Sequence, residues 1–120
     1  MISIEQFTQL LSQAAGMLPK EIFEGLNLGI GISESCKRKT GTASGIPAFI
    51  LGEYRVSRSL GRGILLYYGS FQKVYPDLKD DPEGQRIISG VLKHELMHHL
   101  ESQAGSRDLE IADAKRMMEL

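Results

Sequence analysis

Residues 87–100 read Ile87-Ile88-Ser89-Gly90-Val91-Leu92-Lys93-His94-Glu95-Leu96-Met97-His98-His99-Leu100. Apolar side chains at 87, 88, 91, 92, 96 and 100 recur at helical spacing and give one wide stripe. The helix has a start signal just upstream, in Asp80-Asp81-Pro82-Glu83. There an aspartate can cap, proline fits the first turn, and glutamate favours the positive end of the dipole. The expected end lies near Ala104, with Gly105 as the stop. All three histidines of the chain fall in this helix, at 94, 98 and 99.

His94-Glu95-x-x-His98 has a chemistry of its own. Positions i and i+4 share a helix face about one turn apart, so His94 and His98 can both reach a single ion. Glu95, rotated about 100° from His94, is better placed to address a water on that ion than to ligate. This is the pattern of a zinc hydrolase: two imidazole ligands, an open position for water, and a carboxylate as base. The ion brings the water pKa toward neutrality and polarises a carbonyl. Glu95, as general base, takes the proton and later passes it to the leaving amine. His99 is off the ligand face and is read as a non-ligand. A third ligand has to follow the helix, and the candidates are Glu101, Asp108, Glu110 and Asp113. Glu101 lies about 10 Å along the axis from His94 and reads as a surface carboxylate. Asp108 and Glu110, just past Gly105, can fold back toward the ion. Asp108 is preferred, with Glu110 as the alternative.

Outward from this helix, 108–119 reads as a closing helix. Upstream, 48–57 and 62–69 read as two strands joined by Arg58-Ser59-Leu60-Gly61, an antiparallel hairpin. Phe71 to Tyr75 reads as a helical turn. Leu26 to Ser33 alternates as a strand with one apolar face. The chain opens with an amphipathic helix over 3–16, capped by Ser3, and a short helix at Pro19 to Gly25. Between residues 34 and 44 a polar loop is expected, with Lys37-Arg38-Lys39 solvated and Cys36 an incidental thiol. The reading is one α+β domain over 1–120: a small, mostly antiparallel sheet against the His-Glu-x-x-His helix, with flanking helices.

Composition sets the function classes aside or admits them. The chain is 42% hydrophobic and 24% charged, ordinary for a soluble domain. Fourteen basic and fifteen acidic residues leave a net charge of −1, which gives no bulk electrostatic case for nucleic acid or anionic membrane. One cysteine excludes an internal disulfide framework and suits a reducing compartment. No leader pattern and no run of about 20 apolar residues is present, so a cytoplasmic protein is expected.

Several stretches together resemble the short bacterial zincin-like metallopeptidases, single-domain proteins with a minimal zincin fold. They are Phe49-Ile50-Leu51-Gly52-Glu53-Tyr54, Leu66-Tyr67-Tyr68-Gly69-Ser70-Phe71, His94 through Ser102, and Ala104-Gly105 through Asp108-Leu109-Glu110. The likeness covers 45–120, and its last two stretches are the specific ones. It implies zinc as cofactor, a peptide or protein substrate, and metallopeptidase chemistry. In the wider family a glycine follows the second histidine by three residues, and the proposed third ligand is an aspartate three beyond it. Here Gly105 comes seven residues after His98. The Gly-x-x-Asp spacing survives as Gly105 to Asp108, displaced by about one turn, or about 6 Å.

Two other readings belong to the same sequence. One is a non-catalytic module that binds metal or peptide; the other is a zinc hydrolase with a non-peptide substrate, RNA included. Glu95 favours the enzyme, and the near-neutral charge weighs against RNA. The strand at 46–57 offers an edge for an extended peptide, and Gly52 permits a close backbone approach or marks a bulge. Tyr67 and Tyr68 are read as packing, with a hydroxyl for a developing oxyanion as the alternative.

Overall fold

A computed structural model describes residues 1–40, 48–103 and 108–119. Helix α1 spans Ile4–Gly16. Ser3 accepts a hydrogen bond from the Gln6 backbone and the Gln6 side chain answers at the Ser3 N–H, so both free donors are satisfied. A 3-10 turn at Lys20–Phe23 stands where a short helix was expected, and it buries Ile22. Gly25 follows with φ of 81°, a left-handed conformation that suits glycine. Strand β1 is Gly29–Ser33. It starts later than the alternation implies because Leu26 to Gly29 forms a turn, closed by the Gly29 N–H on the Leu26 carbonyl at 3.0 Å.

Two two-residue strands come next, β2 at Lys37–Arg38 and β3 at Phe49–Ile50, paired antiparallel. Lys37 therefore belongs to a strand and not to a solvated loop. Its ammonium sits 2.6 Å from Glu53. β4 (Gly52–Ser57) and β5 (Gly61–Tyr67) form the expected hairpin. The main sheet has order β1-β5-β4, with β1 parallel to β5 and β4 antiparallel to it. It is mixed because the long stretch between Ser33 and Gly61 carries the chain over to the far edge and back, as a parallel pair requires.

Tyr68 begins α2 (Tyr68–Val74) instead of extending β5. Its ring meets Phe7 edge-on and its hydroxyl bonds the Ile2 carbonyl, which turns the chain into the core. α3 runs Pro82–Ser102, with Asp81 capping the Gly84 N–H at 2.8 Å and proline in the first turn. It stops two residues before Ala104, where Gln103 leaves helical geometry and its amide turns to the Glu24 carbonyl. The expected stop at Gly105 lies outside the described residues. α4 spans Asp108–Glu119.

Strand alternation places Ile30, Ile32, Ile64, Leu66, Gly52 and Tyr54 on one sheet face. α3 packs against β4 and β5, and α1 packs against α3. Phe7, Phe71, Leu66, Ile88, Leu92, Leu96 and Leu100 are fully or almost fully buried between the layers. β4 packs over α3 and runs in the same direction: Gly52 meets Val91 and Glu95, and Tyr54 reaches His99. Among the described residues, no strand pairs with the outer edge of β4. No described helix is long and apolar enough to cross a membrane.

Candidate functional site

The leucine stripe of α3 points into the core, which turns His94 and His98 outward beside β4, both exposed. Their Nε2 atoms converge to 3.2 Å, with the rings nearly perpendicular at 87°. Two nitrogens at that separation, each at the usual Zn–N distance of about 2.0–2.1 Å, subtend about 100° at a shared ion. That is close to the tetrahedral angle, so the pair fits zinc as half of a ligand set. Among the described residues no third His, Cys, Asp or Glu joins them. Asp108 and Glu110 lie on the first turn of α4, and their side chains fall outside the described part. Glu101 is exposed and faces Lys115 at 3.9 Å; Asp113 is exposed and pairs with Arg116.

Glu95 is only 7% exposed, lodged between α3 and β4. Gly52 sets how close the strand comes. A Cβ there would lie 3.2 Å from the Glu95 Cγ and 3.0 Å from the Val91 Cγ1. Close approach is thus the role of that glycine, since Gly52 itself pairs in register with Leu66. Burial pushes the Glu95 carboxyl above its ordinary range. The charges of His94 and His98 and a hydrogen bond from the Tyr54 backbone pull it down without cancelling the rise, and the Glu53 charge adds to it. A carboxylate held toward higher pKa is better matched to proton transfer near neutrality.

His99 is fully buried and takes no part in the ligand pair. Its Nε2 lies 2.7 Å from the Glu24 carbonyl, which can only accept, so that nitrogen carries a proton. Nδ1 lies 2.9 Å from the Tyr54 hydroxyl. Ser102 bridges the same hydroxyl at 2.9 Å and receives Arg62 at 3.0 Å. Tyr54 is the site tyrosine that the sequence reading missed; it lines the hollow of His94, Glu95 and His98. The signal for it was the Gly52-x-Tyr54 spacing, which puts Tyr54 on the strand face of the helix-facing glycine. Tyr67 and Tyr68 lie elsewhere: the Tyr67 hydroxyl donates to Glu53 at 3.0 Å, and Tyr68 is tied to Ile2.

Glu53 borders the same hollow, its position alternating with Gly52 and Tyr54 along β4. Lys37 at 2.6 Å, Arg55 at 2.8 Å and Tyr67 hold its carboxyl at about 2, the Lys37 hydrogen bond first. Cys36 is exposed and unbridged. Met118 joins the core while Met117 is exposed, which is helix-face packing.

Two hollows open from the shared residues Ile50, Gly52, His94 and Glu95. One, of about 570 Å³, extends along the C-terminal half of the site past Glu53, Tyr54, His98 and Ser102. The other, of about 480 Å³, extends toward the start of α3 over Gly90. The chain is thus an α+β protein whose long helix presents a His-Glu-x-x-His face beside an edge of β4 that no described strand pairs. In the solved structures, a conserved hypothetical protein from Thermo thermophilus is similar, with a TM-score of 0.70 and 32% identity. The match covers 86% of this chain and 98% of that one, and the chain belongs to the same family. No family model matches the chain, and no curated protein does.

Proposed function

We propose that this protein is a zinc-dependent metallopeptidase of minimal zincin-like architecture, acting on a peptide or protein in the cytoplasm. The observation that supports this best is the convergence of His94 and His98 Nε2 to 3.2 Å, with the Glu95 carboxyl in the adjoining wall. Zinc, when bound, supplies Lewis acidity toward a carbonyl and lowers the pKa of water. His94 and His98 would hold it through unprotonated Nε2 atoms, with Asp108 or Glu110 as the third ligand. The Glu95 carboxylate takes up the proton of the attacking water and returns it to the leaving amine. The edge of β4 that no described strand pairs aligns an extended peptide over the helix.

Zinc content of protein purified without added metal is the first test. About one ion per chain is expected in wild type and close to none in His94→Ala. Glu95→Gln keeps its zinc and loses about 10²- to 10⁴-fold in cleavage of a mixed peptide library. Wild type free of zinc at micromolar supply would sink the metal reading. Zinc bound without cleavage by wild type would remove the peptidase and leave a binding module.

A further inference from the structure

The two hollows that meet at His94 and Glu95 differ in chemistry. The C-terminal one is mixed, with Glu53, Tyr54 and Ser102 on its walls beside Ile50. The N-terminal one is walled by Phe49, Leu51, Tyr75, Ile87 and Val91, which are partly exposed there. Two exposed cations, Lys39 and Arg86, stand among its lining residues. Such a setting suits a neutral apolar group and opposes a basic one.

Gly90 is the second observation. It lies one turn before His94 on the same helix face, about 6 Å along the axis. Glycine inside a helix lowers its stability relative to alanine, so it calls for a reason. Packing gives none: a Cβ at Gly90 would meet nothing within 4 Å. Gly52 and Gly84, by contrast, are each crowded by a neighbour. The bare backbone at Gly90 therefore opens onto the hollow and keeps that part of the helix face low beside the ligand pair.

We propose that this hollow is a side-chain subsite that receives a bulky apolar residue, aromatic or aliphatic, of a peptide lying across His94 and Glu95. The peptide nature of the ligand rests on the hydrolase reading above; the apolar preference rests on the walls and on Gly90. The mixed hollow on the far side takes the neighbouring residue without demanding apolar character. The preferred substrate is thus asymmetric about the site.

The test uses blocked tripeptides with Phe, Leu, Ala or Lys at the central position, titrated into the full chain with and without zinc. Amide shifts in nuclear magnetic resonance report both site and affinity. The Phe and Leu peptides should bind roughly 30-fold tighter than the Ala peptide, from the apolar area they bury. Their shifts should centre on Leu51, Gly90 and Val91, which line this hollow and not the other, and the Lys peptide should gain nothing. Gly90→Leu fills the hollow and should erase the preference while zinc content and melting temperature stay at or above wild type. Gly90→Asp charges the hollow without filling it and should also erase the preference. Equal affinity for all four peptides, shifts centred elsewhere, or a preference that survives both variants would overturn the subsite. A Gly90-dependent preference without zinc binding or cleavage keeps the subsite and removes the hydrolase. Zinc binding and cleavage with no such preference does the reverse.

Discussion

Two polar clusters share the C-terminal turns of α3. His94, Glu95 and His98 form one, with both imidazoles exposed and facing each other. Tyr54, His99 and Ser102 form the other, with the imidazole fully buried and bonded at both nitrogens. His98 and His99 are adjacent in sequence and differ by about 100° around the helix. That rotation decides which one meets solvent and which one meets the Glu24 carbonyl. In the first cluster the lone pairs stay available to an ion. In the second both ring nitrogens are engaged, one by the Tyr54 hydroxyl and one by the Glu24 carbonyl.

Replacing each neighbour in turn puts this contrast under the most strain. His99→Leu should cost about 2–4 kcal/mol in denaturant unfolding, because it strips the ring shared by the Tyr54 hydroxyl and the Glu24 carbonyl. His98→Leu should change stability by about 0.5 kcal/mol or less in metal-free protein, while abolishing stoichiometric zinc binding. Equal stability losses would erase the distinction between the clusters.

Glu53→Gln gives the next largest effect and asks whether the strand wall is held by charge. The Glu53 carboxyl sits at about 2 in the folded chain, below its ordinary 4.5. Its contribution is therefore present above the unfolded value and lost as pH falls toward about 2. The ion-pair partners are solvent-screened, so a loss on the order of 1 kcal/mol is expected at pH 7. Thermal unfolding of both proteins across pH 2–7 should show the two curves meeting at the acid end.

The smallest effect has the opposite sign. Burial raises the Glu95 carboxyl, so metal-free protein carries a penalty once that group ionises. Glu95→Gln should raise the melting temperature of metal-free protein at neutral pH. The gain should vanish as pH falls below the carboxylate range, where both states hold the proton. A destabilised variant at neutral pH would mean that the carboxylate has strong partners beyond those named.

Much of the fold is legible locally. The Ser3 cap, the Asp81-Pro82 start and the apolar stripe of α3 are encoded in a few neighbouring residues each. The hairpin of β4 and β5 follows from alternation and a glycine-bearing turn. The parallel pairing of β1 with β5 is not local, since it joins residues more than thirty positions apart. Nor is the departure of Tyr68 from the strand, which answers to Phe7 and Ile2. Lys37 reads as a solvated charge until β4 brings Glu53 beside it.

Residue order alone was enough to set the α3 helix, its direction and the His94–Glu95–His98 face, because a helix fixes i and i+4 neighbours through its own geometry. Packing in three dimensions was needed for the rest: Gly52 lets the strand press on Glu95, Tyr54 reaches the site, and His99 is buried. Packing also makes one hollow beside the site more apolar than the other. Those properties come from residues on separate elements, and contacts of that kind exist only once β4 is laid along α3.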